Sequence, residues 1–234
     1  MCKKYLFTTL TFLSFCFYSC SGQFIKIEPI EHPYKLSSQI EHDMQTKEEG
    51  WRFQAGAWAY AEIGNYSKML STWDTGMDDV KMKPAHEMEI FYSKYQATEA
   101  LPYLLKRIES ERIVIINEAH QQPLHRVFTY QLLNDMYKQG FRYLGLETLD
   151  ERDNLLNVLK YPFTDSGFYS KEPQFGELIR EALRLGFHLF AYESDGNGAI
   201  REEGQAKKIQ AMIDKDPSGK FLIHCGFAHA DEGY

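Results

Sequence analysis

One arrangement recurs in the second half of the chain and restricts what it can fold into. Gly140-Phe141-Arg142-Tyr143-Leu144-Gly145-Leu146-Glu147 places a glutamate seven residues after a glycine, across an apolar run. Gly186-Phe187-His188-Leu189-Phe190-Ala191-Tyr192-Glu193 does the same. Glu118 closes a third run, Arg112 to Ile116, seven residues after Glu111. Each glycine follows a helical pattern, Pro123 to Gln139 and Pro173 to Leu185, with a proline in the first turn and glycine just past the end. Arg201 to Ile213 reads as a further helix and Phe221 to Cys225 as a fourth strand. Strands alternating with helices of this length require crossover connections. The fold class is therefore α/β, with a mostly parallel sheet.

In such a sheet, the residues that close the strands share one edge, where open α/β folds bind ligands. Neighbouring strands run about 4.8 Å apart, so side chains at adjacent tips can meet. Glu118, Glu147 and Glu193 fall there. Strand tips also emerge into solvent, where a single glutamate is unremarkable. Three of them, joined by histidines, point to a site.

The histidines come from two motifs. Asn117-Glu118-Ala119-His120 follows the first strand, with His125 and Arg126 near the start of the next helix. His120 fits a general base, a metal ligand or a cap. His125 fits a site or a helix cap, and Arg126 an anion contact or the surface. The fourth strand runs into His224-Cys225-Gly226-Phe227-Ala228-His229. Gly226 permits a tight turn or close ligand approach. His229 is placed on the rim with the glutamates, whereas His224 lies within the strand and fits either a packed layer or the site. Cys225 reads as a small buried residue, His188 as structural, and His32, His42 and His86 lack a motif. Glu118, His120, Glu147 and His229 are the leading catalytic candidates, with Glu193, His224, His125 and Arg126 behind them. The same leading four have the oxygen and nitrogen donors of a divalent transition-metal site. Two carboxylates also suit glycoside cleavage, but nothing else indicates a saccharide. No G-x-S-x-G elbow, H-E-x-x-H pair or phosphate loop occurs. Tyr161, Phe163, Phe168, Tyr169 and Phe175 lie on a long segment above the same edge, as a lid, a ligand wall or a satellite core.

The front half has a different pattern. Residues 23–50 read as a linker and the start of a helical region. Residues 51–110 read as a small helical hairpin subdomain, with a turn at Gly64-Asn65 and a second stretch over 85–109 kinked or broken by Pro102. Ala57, Ala61, Gly64 and Tyr66 loosely echo a helical repeat, but repeat folds need several copies. Residues 1–22 have the layout of an export signal: Lys3 and Lys4, the apolar Leu6 to Tyr18, then Ser19, Ser21 and Gly22. Cys20 sits where a bacterial lipoprotein signal carries its lipidated cysteine, giving either secretion or attachment to a membrane by an N-terminal lipid. The expected location is exported, periplasmic or anchored at the cell envelope. Three of the four cysteines belong to this leader, leaving Cys225 alone in the body, so no disulfide framework is expected there. An apolar fraction of 44% excludes a disordered chain. A net charge of -7 argues against a nucleic-acid partner. Residues 111–234 form the α/β domain, and a sheet of this kind is expected to continue beyond Asp231-Glu232-Gly233-Tyr234 into a further helix.

Glu118-Ala119-His120 after a strand, then Gln122-Pro123 and His125, resembles the opening motif of ChaN-like haem-binding uptake lipoproteins. Their superfamily includes the Tiki-type proteases and the erythromycin esterases. Glu147 matches the glutamate closing their second core strand, and Gly226-Phe227-Ala228-His229 resembles their later G-x-x-H element. The match covers roughly residues 111–229. It departs at Asn117, where glycine is usual, and in the single residue between Glu118 and His120, which differs from the erythromycin-esterase spacing. The resemblance implies a Glu/His site at the strand tips that serves haem binding, metal-dependent peptide cleavage or metal-free ester cleavage. The expectation is an exported hydrolase of an ester or amide bond in a small molecule or peptide. The alternatives are a haem- or iron-binding lipoprotein and a non-catalytic partner-binding protein.

Overall fold

A computed structural model describes residues 34–77, 86–153, 155–163 and 165–230. The leader at 1–22, Cys20, His32 and the tail at 231–234 lie outside these residues. The described chain is an α/β fold with a parallel sheet, crossover helices and an N-terminal helical subdomain.

That subdomain opens with α1 (Ser37–Thr46), α2 (Arg52–Glu62) and α3 (Tyr66–Gly76). Ile40, Ala57, Tyr60, Ala61 and Met69 are its buried core. Small alanines on α2 allow the neighbouring helices to approach closely. The turn at Gly64-Asn65 is as expected: Gly64 takes a left-handed φ of 70°, and the Asn65 side chain accepts from Lys68 N at 3.3 Å to start α3. The region read as a linker and the start of a helical region contains α1, which packs on α2. Pro102 does not break a helix: α4 (His86–Ser93) and α5 (Ala100–Arg107) are separated before it, and Pro102 lies in the first turn of α5, where a missing N–H is harmless.

The strands are β1 (Ile113–Glu118), β2 (Phe141–Leu146), β3 (His188–Ala191) and β4 (Lys220–Gly226), ordered β1-β4-β2-β3 and parallel throughout. The last strand thus enters the middle of the sheet. Between the strands run α6 (Pro123–Lys138), the short α7 (Leu156–Leu159), α8 (Pro173–Leu185) and α9 (Ala199–Lys215). α8 buries Phe175, Leu178, Ile179, Ala182 and Leu183, a stripe at helical spacing, and stops at Gly186 with φ 102°. α6 and α8 pack together over one sheet face, against Leu144, Leu146, Leu189 and Leu222. Ile209, Met212 and Ile213 of α9 cover the other face, against Phe190, Phe221, Ile223 and Cys225. Strand alternation therefore sends Glu118 and His224 into the α6–α8 layer, together with these apolar neighbours.

Candidate functional site

Glu118 ends β1 opposite Gly226 of β4. It is buried and would be costly there without partners. Arg126, on the first turns of α6, supplies them: Nε donates to Oε2 at 2.8 Å and Nη2 to Oε1 at 2.7 Å. Arg126 is itself 0% exposed. Its Nη1 donates to Glu172 Oε2 at 2.7 Å, and its guanidinium lies over the rings of Tyr169 and Phe175. Glu172 also caps α8 by accepting from the backbone N–H groups of Gln174 and Phe175, and it accepts from the Tyr66 hydroxyl at 2.7 Å. One guanidinium is thus forked between two buried carboxylates. Burial opposes the charge on Glu118, but bonds from His120 and Arg126 outweigh it and hold the carboxyl down at about 2. Burial likewise opposes the charge on Arg126, but Glu118 and Glu172 outweigh it and raise its pKa above its ordinary value.

His120 stands on this base. Its Nδ1 lies 2.8 Å from Glu118 Oε1. Because that carboxylate only accepts, Nδ1 carries the proton and Nε2 is left for another partner. Nε2 lies 3.7 Å from Glu147 Oε2, too far for a direct hydrogen bond. The side chain is 27% exposed, in contrast to the groups beneath it. Its ring packs on Tyr169 with centroids 4.8 Å apart, and Trp58 of α2 lies 6.1 Å away. Gly226 makes room for it: a Cβ there would stand 2.6 Å from His120 Nε2 and 3.3 Å from Glu147 Oε2.

Glu147 follows β2 and is buried. Its Oε2 accepts from Gly226 N at 2.6 Å, and its Oε1 from Arg201 Nη2 at 2.9 Å. His229, on a short 3-10 turn after β4, brings Nε2 within 3.0 Å of Glu147 Oε1 and 2.9 Å of Arg201 Nη1, while Nδ1 lies 2.9 Å from Glu202. Arg201 also clasps Glu193, with Nε 2.8 Å from Oε1 and Nη2 2.7 Å from Oε2. Burial opposes ionisation of Glu193, but Arg201 prevails and lowers it. Thr148 holds a φ of 65° directly after Glu147, a strained conformation for a β-branched residue. Its carbonyl accepts from Phe168 N at 3.1 Å, which ties the aromatic segment to this turn.

The structure thus brings Glu118, His120, Glu147, His229, Glu193 and Arg126 into one buried Glu/His/Arg cluster at the carboxyl ends of the strands. His224 lies beneath it. Its Nε2 is 3.6 Å from Glu118 Oε2 and has no hydrogen-bond partner, and burial pushes its pKa down to about 4. His125 acts locally, its Nδ1 accepting from Ala119 N at 2.9 Å and so closing the loop that carries His120. Cys225 is buried and its thiol is pushed up to about 12 by burial and nearby carboxylates, which suits a packing residue. The aromatic segment divides: Tyr169 and Phe175 pack on Arg126, whereas Tyr161 and Phe163 pair with each other outside.

Arg201, Glu172 and Trp58 are not among the residues the sequence singled out, and Tyr66 entered only through the helical-repeat echo. A signal for Arg201 is present. It stands eight residues after Glu193, as Arg126 stands eight after Glu118, and both pairs link a strand tip to the next helix. Nothing local marks Glu172 or Trp58.

These arginines bear on the metal expectation. Glu118 and Glu147 meet guanidinium and backbone N–H groups, and among the described residues no three His, Cys, Asp or Glu side chains are arranged to hold a metal ion. As arranged, the set does not fit a divalent cation.

No family model matches the chain, and no curated protein matches it. Among solved structures, the type III effector HopBA1 is similar at a TM-score of 0.40 and 10% identity, over 53% of this chain and 70% of that one.

Proposed function

We propose that the chain hydrolyses an ester or amide bond, with His120 as general base and Glu118 fixing its tautomer. The observation that supports this most is the Glu118–His120 pair. A buried, ionised carboxylate holds Nδ1, and Nε2 faces Glu147 from a partly exposed position. His120 Nε2 and Glu147 Oε2 are close enough to share one water. His120 takes a proton from that water as its oxygen attacks the carbonyl carbon. Collapse of the tetrahedral intermediate expels the alkoxide or amine, which takes the proton back from Nε2. Arg201, across Glu147, brings positive charge toward the developing oxyanion. The resemblance to the ChaN, Tiki and erythromycin esterase group agrees with a Glu/His site. The leader residues support export, with or without a lipid on Cys20.

The test is hydrolysis of small neutral esters and amides by chelator-treated protein. His120→Ala is expected to lose about 10²–10⁴-fold in kcat. A Soret shift on adding haem, weakened in His229→Ala and unaccompanied by any cleavage, would put the haem-binding alternative in its place.

A further inference from the structure

Beside the charged centre two large aromatic side chains are exposed. Phe168 is 61% exposed although it packs edge-on against Trp58 and Tyr169, the two rings beside His120. Phe227 is 54% exposed and directly follows Gly226, the residue against which His120 Nε2 lies. Its ring rests 5.8 Å from His125. Two large rings are therefore left in water on segments that flank the partly exposed imidazole. Phe168 N is bound to Thr148 O, and Phe227 directly follows β4 and opens the 3-10 turn. Apolar side chains around a few convergent polar groups are the usual composition of a small-molecule site. Charge points the same way. The centre holds Glu118, Glu147, Glu172, Glu193 and Glu202 against Arg126 and Arg201, so an anionic group is disfavoured and apolar contact is left to supply affinity.

We infer that Phe168 and Phe227, with Trp58 behind Phe168, form a substrate subsite beside His120 that takes a bulky, uncharged apolar group adjoining the scissile carbonyl. This rests on the hydrolase reading for its location, not for its chemistry of binding. The helical subdomain then contributes directly to specificity, through Trp58.

The experiment compares methyl phenylacetate and benzyl acetate with methyl acetate. The two phenyl-bearing esters are expected to exceed methyl acetate by about tenfold or more in kcat/KM, the scale on which apolar pockets discriminate. Phe168→Ser is expected to shrink that ratio at least about fivefold. Phe168 is exposed, so this substitution leaves the core intact. A ratio unchanged in both Phe168→Ser and Phe227→Ser, or a preference for methyl acetate, overturns the subsite. Saturation-transfer NMR of benzyl acetate with His120→Ala reads binding without turnover. The phenyl protons should show contact that fades when Phe168→Ser is added. If no ester is cleaved, the hydrolase reading fails on its own and the NMR contact still decides the subsite. Absence of phenyl contact overturns it.

Discussion

Arg126 is the buried cation on which Glu118 rests. Its guanidinium satisfies Glu118 and Glu172 together, in a place closed to water. Removing it takes the counter-charge from two buried carboxylates, which typically costs about 3–5 kcal/mol. Arg126→Leu is therefore expected to lower the urea midpoint steeply, and Arg126→Lys to recover only part of it because an ammonium cannot fork. A midpoint near wild type in both variants would show that Glu118 has other support. Gly226 makes a different demand. Its alanine variant puts a methyl against His120 Nε2, so Gly226→Ala should cost much of the activity while folding persists, as read by kcat beside the thermal midpoint. At this scale the sequence named Glu118, His120, Glu147 and His229, which the structure draws together. Sequence reading ranked Arg126 low because a lone arginine looks like surface, and the carboxylate that shares it, Glu172, is 46 residues away.

The elements were the most legible part. Glycines at 140 and 186 mark the ends of α6 and α8, and Pro173 to Leu185 matches α8. Strand order was not legible, because register depends on contacts between distant segments. That order places β4 between β1 and β2, so His224 sits under Glu118 rather than at an edge. His224 is faced by Glu118, Arg126, His120 and Glu147, and burial dominates, lowering its pKa from 6.5 to about 4. Its contribution to stability is complete above 6.5 and is lost as pH falls toward 4. Glu118, lowered from 4.5 to about 2, acts with the same sign over the lower window. His224→Leu removes an unpartnered buried nitrogen and the upper window. Its denaturation midpoint should change little between pH 6.5 and 4, where wild type declines. An equal decline in both proteins would assign that sensitivity elsewhere.

Across the molecule, the helical subdomain and the α/β part share the site. Tyr66 reaches Glu172 over 106 residues of sequence, Lys171 pairs with Glu62 at 3.0 Å, and Trp58 lies beside His120. A division at residue 110 follows the change of pattern from helical to alternating, but no local pattern records a contact of that range. The buried centre is accordingly supported from both parts, through Glu172 and Arg126 to Glu118 and His120. The central claim is that His120 Nε2, oriented by Glu118, moves the proton in bond cleavage. Chemical rescue tests this most directly: ester hydrolysis by His120→Ala is measured with and without added imidazole. The account predicts a loss of about 10²–10⁴-fold that imidazole partly restores in a saturable way, with no restoration in His120→Ala combined with Gly226→Leu, which fills the vacated space. Wild-type turnover by His120→Ala would contradict it.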